Sequence, residues 1–114
     1  MNIYEKTEDV LALFFNSYFH GMPDFGEGQE PLRYAVYTVV HKPEHFVSGR
    51  KTADSYFIML SIFTPRLDPT LYTEIEEAFT DEGYTFQQGR QVDFRDEFPQ
   101  KTHYSMDFII SIDV

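Results

Sequence analysis

The sequence predicts one α+β domain over residues 1–114, with a four-stranded, mainly antiparallel sheet and two helices packed on one face of it. Three observations predict this fold. The length is that of a single ordinary domain. Apolar residues recur at helical spacing in two segments and follow strand patterns in four others. These elements follow the order α-β-β-α-β-β, with a long arm between the first and second strands.

The first helix is predicted over residues 2–19. Its inward positions recur every three or four residues and charged residues lie mostly between them, which is typical of an amphipathic helix. These positions are Ile3, Thr7, Val10, Leu11, Phe14 and Tyr18. The next segment, GMPDFGEGQEP, is rich in glycine, proline and acidic residues, so we expect a loop.

The first two strands are predicted over residues 33–40 and 55–63, which are rich in Val, Ile, Tyr and Phe and contain no Gly or Pro. The second strand is apolar on both faces: Tyr56, Ile58, Leu60 and Ile62 point one way, and Phe57, Met59 and Phe63 the other. Two helices cover one face of a sheet, so the other face is either covered by loops or is a subunit interface. The predicted interface residues are Phe57, Met59, Phe63 and Tyr37.

The second helix is predicted over residues 69–82. Asp68 can cap its N-terminus, Pro69 suits the first helical position, and Gly83 suits the left-handed residue after the helix. Its buried stripe is Leu71, Ile75, Ala78 and Phe79.

Two strands complete the predicted sheet, over residues 84–94 and 103–113. The first of them alternates apolar and polar residues and so predicts a half-buried strand. The last strand alternates most clearly, with Tyr104, Met106, Phe108, Ile110 and Ile112 facing the core.

Composition excludes several classes of protein. The chain has no cysteine, which excludes a disulfide framework, a thiolate zinc site and a cysteine nucleophile. Its net charge of −10 disfavours nonspecific binding to nucleic acid or anionic lipid. No N-terminal apolar region resembles a signal peptide, and no run approaches the ~20 apolar residues of a membrane span, so we expect a soluble, cytoplasmic protein. Aromatic residues make up 18% of the chain, which favours burial between subunits.

Candidate metal and catalytic residues are few. His41, Glu44 and His45 have metal-ligand spacing only if their segment is helical, and Pro43 favours a solvated loop instead. His103 alternates outward on its predicted strand, and spacing assigns it no Ser or Asp for acid–base catalysis, so we predict an exposed surface residue and not a general base. Asp93, Asp96 and Glu97 could hold magnesium, but a solvated turn is the commoner explanation.

The sequence therefore predicts no catalytic, metal or cofactor site, and an enzyme is the minority interpretation. Two alternatives to an assembly protein stay open. One is a small ligand-binding or regulatory α+β module with an aromatic pocket. The other, less favoured, is a metal-dependent hydrolase that uses Asp93, Asp96, Glu97 and His103.

Five segments together resemble one protein family. They are MNIYEK, PLRYAVYTVV, TADSYFIMLSIFT, LDPTLYTEIEEAFTDEGYTF and HYSMDFIISI. Their order is similar to that of the small tail-completion proteins of long-tailed phages and prophages of Gram-positive bacteria, which are tail terminators or head-tail joining proteins. The matching positions are Tyr34, Tyr37, Ala53, Asp54, Phe63, Thr64, residues 74–77, Gly83 and Tyr104. The chain departs from the family in its long acidic GMPDFGEGQE loop and in EFPQKTH, which replaces a shorter turn.

The resemblance implies a structural virion protein that forms an oligomeric ring, expected to be a hexamer. This ring would cap the tail tube and connect it to the head, with the tail-tube protein and the head-tail connector proteins as partners. The resemblance implies a location at the head-tail interface of the virion, and in the bacterial cytoplasm during assembly. DNA would pass through the lumen without specific binding, since a negative subunit repels phosphate.

The resemblance also gives a role to the arm HKPEHFVSGRKTADS, residues 41–55. Consecutive strands usually join through ~2–5 residues, so this connection is long. We expect either a β-hairpin extension or flexible loop that contacts a neighbouring subunit or the tube protein, or a disordered loop with no partner. The predicted contact residues are Lys42, His45, Arg50 and Lys51.

Overall fold

The computed structural model describes residues 2–26, 28–47, 50–92 and 102–113. The α+β class is confirmed, but the predicted four-stranded, mainly antiparallel sheet is wrong. The sheet has five strands in the order β1-β2-β3-β5-β4, and it is mixed, because β1 is parallel to β2. The elements are α1 (Ile3–Leu11), β1 (Tyr18–His20), β2 (Tyr34–Val47), β3 (Arg50–Thr64), α2 (Pro69–Asp81), β4 (Thr85–Val92) and β5 (Thr102–Asp113).

The additional strand, β1, lies where the sequence predicted the end of the first helix. That helix ends at Leu11 instead of residue 19, and Tyr18 and His20 then pair with Ala35 and Tyr37 of β2. Phe14 and Tyr18 keep helical spacing from Leu11 although they lie beyond the helix. A strand of three residues is too short to show its own alternation, so the helical pattern concealed it.

The second helix is confirmed and ends one residue earlier than predicted, at Asp81. The Asp68 side chain accepts a hydrogen bond of 3.1 Å from the Leu71 amide, and Pro69 occupies the first turn. Gly83 has φ +93°, a conformation that side-chain-bearing residues rarely adopt.

The predicted arm is a β-hairpin. β2 continues to Val47 and β3 begins at Arg50, so both strands are longer than the predicted ranges 33–40 and 55–63. Val47 pairs with Arg50 at the tip, and the register shifts on both sides of His45. Pro43 favoured a loop at this position. A strand with a β-bulge can nevertheless contain proline, which has no backbone N–H to donate to the neighbouring strand. We call residues 41–55 the hairpin.

Both helices pack on one face of the sheet. Its core includes Leu11 of α1, Ile75 and Phe79 of α2, and Leu60 and Phe108 of the central strands. A buried hydrogen bond of 2.8 Å joins the Thr7 and Tyr84 hydroxyls and so ties α1 to the segment that follows α2. Burial raises the pKa of Tyr84 to about 12, against the opposing effect of the Thr7 hydrogen bond.

Candidate assembly site

The second face of the sheet is the candidate assembly site. Side chains of three adjacent strands form an apolar patch at its middle: Val40 of β2, Phe57 and Met59 of β3, and Ile109 of β5. Val40 and Met59 are 42% and 41% exposed, and Phe57 and Ile109 are half-buried. No helix or strand among the described residues packs over them. We call these four residues the open face.

Only two of the four predicted interface residues lie on the open face. Phe57 and Met59 belong to it, but Phe63, on the same side of the sheet, is 3% exposed. Tyr37 lies on the opposite face beneath the helices and is fully buried. Val40 and Ile109, which the sequence analysis missed, complete the patch because they pair with Phe57 from the two neighbouring strands.

Tyr37 of β2 ties α1 to the sheet and packs beside the neighbouring strand β1. Its hydroxyl donates a hydrogen bond to a Glu8 carboxylate oxygen, and its ring stacks on His20 with a centroid distance of 5.2 Å. Burial, followed by the Glu8 hydrogen bond and charge, raises the pKa of Tyr37 above its usual range. The Tyr37 side chain is therefore part of the fold.

Phe63 is buried in a cluster of Tyr34, Val36 and Phe63, against which Phe25 of the acidic loop after β1 packs. The Phe63 ring stacks on Tyr34 at 4.7 Å, and Phe25 from the loop packs edge-on against Tyr34 at 5.2 Å. The Tyr34 hydroxyl donates to Glu30 over 2.6 Å, which holds the loop in place. The loop thus covers one end of the second face, and the middle of that face is open.

A shallow groove of about 330 Å³ runs across this face beside Met59. His103 and Asp107 of β5 and Arg90 of β4 line it, together with Val36 and Thr38. Gln88 donates a 2.8 Å hydrogen bond to Asp107. The groove therefore adds polar groups to the edge of the apolar open face, an arrangement typical of protein interfaces.

His103 makes stability pH-dependent. Burial, with a smaller effect of the Arg90 guanidinium, lowers the pKa of His103 below its usual value. The unfolded chain then binds a proton more readily than the folded chain, so stability falls as pH drops below about 6.5.

We expect His103→Phe, which retains an aromatic ring to stack on Phe63, to reduce this loss. Urea unfolding at a series of pH values from about 7.5 to 5 measures this loss of unfolding free energy. Equal slopes of unfolding free energy against pH in wild type and variant would contradict the assignment.

A second concavity, of about 350 Å³, lies between α2 and the β4-β5 edge. We call it the α2 cavity. The rings of Tyr72 and Tyr104 stack in it with centroids 4.0 Å apart and an interplanar angle of 7°. Phe86 and Met106 form apolar walls, and Glu76 lies on the α2 side. It is the aromatic pocket that the ligand-binding alternative requires.

Gly89 makes room for the Tyr104 side chain. A Cβ atom at position 89 would lie 2.5 Å from the Tyr104 hydroxyl oxygen and 3.1 Å from the Phe86 ring. We expect Gly89→Ala to lower the unfolding free energy by about 1–3 kcal/mol through this overlap. Adding Tyr104→Phe, which removes the nearest atom, should recover part of the loss, and urea unfolding of the four chains of this cycle measures the coupling. Additive effects would contradict the contact.

The structure describes the backbone of the predicted arm residues but not all of the candidate metal ligands. Lys42, His45, Arg50 and Lys51 all lie in the hairpin strands. His41 and Asp54 at its base form an ion pair of 3.0 Å when His41 is protonated. Asp93, Asp96 and Glu97 lie outside the described residues. Among the side chains that are described, which do not include those of residues 42–53, no three of His, Asp or Glu cluster as metal ligands would.

Comparisons with known proteins identify no family. Neither the protein-family models nor the curated proteins match the chain. In the part of the chain that is described, no helix has the length and apolar character needed to cross a membrane.

Proposed function

We propose that this protein is a structural component of a phage or prophage virion, a tail terminator or head-tail joining protein. In this proposal, copies of the chain form a ring that caps the tail tube and connects it to the head. Its partners are further copies of itself, the tail-tube protein and the head-tail connector proteins. It acts in the virion, after assembly in the bacterial cytoplasm.

The observation that carries the proposal is an open apolar face beside a long projecting hairpin. An apolar patch at the middle of a sheet is normally covered in a monomer, and an uncovered one favours a protein partner. The hairpin gives the domain an elongated outline of 53 × 29 × 24 Å. A ring requires two different complementary surfaces on each subunit; the hairpin can supply one of them, and the open face is a further surface for a neighbouring subunit or the tail-tube protein.

Charge supports the same function. Each subunit carries a net charge of −10, so a ring of such subunits surrounds its axis with negative charge. Repulsion from phosphate keeps DNA mobile in a channel. The order of the sequence segments that resemble tail-completion proteins adds independent support.

Deletion of the gene from its phage or prophage tests the proposal. We expect separate heads and unattached tails in the lysate, and restoration of joined particles when the intact gene is supplied on a plasmid. Normal joined particles from the deletion strain would refute the proposed function.

The α2 cavity favours one alternative, a small ligand-binding or regulatory module. Such a module would bind a small aromatic or amphipathic molecule between Tyr72, Phe86 and Tyr104. A screen of such compounds by thermal shift distinguishes the two functions, because a ligand that binds the folded state raises the melting temperature.

A further inference from the structure

We infer that the α2 cavity receives a basic side chain from the hairpin of a second copy of this chain, with Arg50 as the anchor. This inference rests on the proposed ring and names the surface that the hairpin contacts. It follows from an unsatisfied hydroxyl, from the charge of α2 and from the positions of the hairpin and the cavity.

The hydroxyl of Tyr72 points to a missing partner. Tyr72 is 7% exposed, and among the described residues its hydroxyl oxygen has no hydrogen-bond partner. A buried hydroxyl without a partner destabilises the chain that contains it. Leu67 and Gln91 are exposed side chains at the rim, and by turning aside they would open the cavity to a guest.

The chemistry of the cavity fits a guanidinium group. The aromatic ring of Phe86 suits a planar cation, and the Glu76 carboxylate can pair with it. The remaining N–H groups of an arginine can donate to the Tyr72 hydroxyl. The surrounding charge has the right sign, since α2 contains four acidic residues and no Lys or Arg.

The hairpin supplies the complementary charge. Lys42, Arg50 and Lys51 are three of the nine Lys and Arg residues in a chain with 19 acidic residues. Arg50 pairs with Val47 next to the hairpin tip. Arginine is also enriched among the residues that dominate binding energy at protein interfaces.

The geometry requires that the guest come from another copy. Tyr104 and Met106 of the cavity pair with Ile62 and Leu60 of β3, whereas Arg50 begins that strand. Ten to twelve residues of strand separate them, which is roughly 33–40 Å. A chain cannot place its own Arg50 in its own cavity, and a contact between opposite ends of successive copies is the kind that builds a ring.

Cysteine cross-linking tests the inference directly, because the chain has no cysteine of its own. A full-length Val47→Cys chain, changed at the last residue of β2, is mixed with a full-length Thr73→Cys chain and oxidised. Thr73 is an exposed residue that lines the cavity. The matched control replaces Thr73→Cys with Glu77→Cys, an exposed position of α2 that does not line the cavity. We expect at least fivefold more heterodimer with Thr73→Cys.

A charge exchange tests the role of Arg50. We expect Arg50→Glu and Glu76→Arg each to reduce cross-linking at least fivefold, and the chain with both changes to restore most of it. Tyr72→Phe should not lower the melting temperature of the monomer, because it removes an unsatisfied hydroxyl, but it should reduce cross-linking. Tyr84→Phe is the control, since it breaks the hydrogen bond to Thr7 and should lower the melting temperature without affecting cross-linking.

Electron micrographs of the same samples separate the two proposals. Rings without preferential cross-linking at Thr73→Cys would overturn the cavity contact and leave the ring function intact. Samples with neither rings nor cross-links, with or without tail-tube protein, would overturn both proposals.

Discussion

The Met59→Glu chain is expected to fold normally and to lose assembly. Met59 is 41% exposed and lies opposite Asp107 on β5, so the new carboxylate stays in water in the monomer. Repulsion between the two carboxylates should lower the unfolding free energy by less than about 1 kcal/mol. In a subunit contact both charges would be buried, at about 3–5 kcal/mol for each contact. This weakens the contact roughly 10²- to 10⁴-fold.

Leu13→Glu is the matched control for this change. Leu13 is 73% exposed and follows α1, away from the open face. Urea unfolding measures the stability of both variants, and electron microscopy with the tail-tube protein measures assembly. Rings formed by Met59→Glu at the concentration at which Leu13→Glu forms them would show that the open face is not a subunit contact.

Removal of residues 43–52 is expected to leave a folded monomer that no longer assembles. Lys42 and Ser55 pair across the two strands, so the deletion leaves Ala53 and Asp54 as a two-residue loop between paired residues. Changing these two to Asn-Gly supplies the residues that such a loop favours. The shortened chain retains every residue described in the buried cluster under the helices, so it should unfold cooperatively.

The control for the deletion retains the hairpin and the Arg50 side chain and reduces the remaining positive charge. Lys42→Gln and Lys51→Gln together retain the length of both strands. We expect this chain to assemble more slowly and with a weaker salt dependence, because rim charges mainly guide encounter. Tails joined to heads by the shortened chain would refute a role for the hairpin in assembly.

Elements with their own local signals could be predicted from the sequence. The second helix has an aspartate cap, a proline in its first turn and a glycine after its end, and all three act as expected. The last strand was predicted because its alternation is uninterrupted. By contrast, β1 was missed because its position depends on pairing with β2, a contact distant in sequence. The predicted ranges of β2 and β3 were too short at the hairpin. Whether Pro43 interrupts a strand depends on the register between the two strands.

The candidate site could be predicted only in part, for a related reason. Alternation along β3 correctly separated Phe57 and Met59 from the core positions. It could not show that the acidic loop packs against the buried cluster that contains Phe63, since that contact depends on Phe25 and Tyr34 packing together across the fold. The prediction that Tyr37 lies at the interface was wrong for two reasons. Aromatic residues suit both cores and interfaces. The register between β2 and β3 also decides which side chains of β2 share a face with Phe57 and Met59. The α2 cavity could not be predicted, because it forms only where α2, β4 and β5 come together.

Electron microscopy of the purified chain, alone and mixed with a tail-tube protein from the same phage or prophage, tests the ring function most directly. The account predicts rings, or tubes of limited length that carry a ring of this chain at one end. Met59→Glu and the hairpin deletion, imaged in parallel, should give long uncapped tubes. A chain that stays strictly monomeric and leaves the growth of the tubes unchanged would contradict the account.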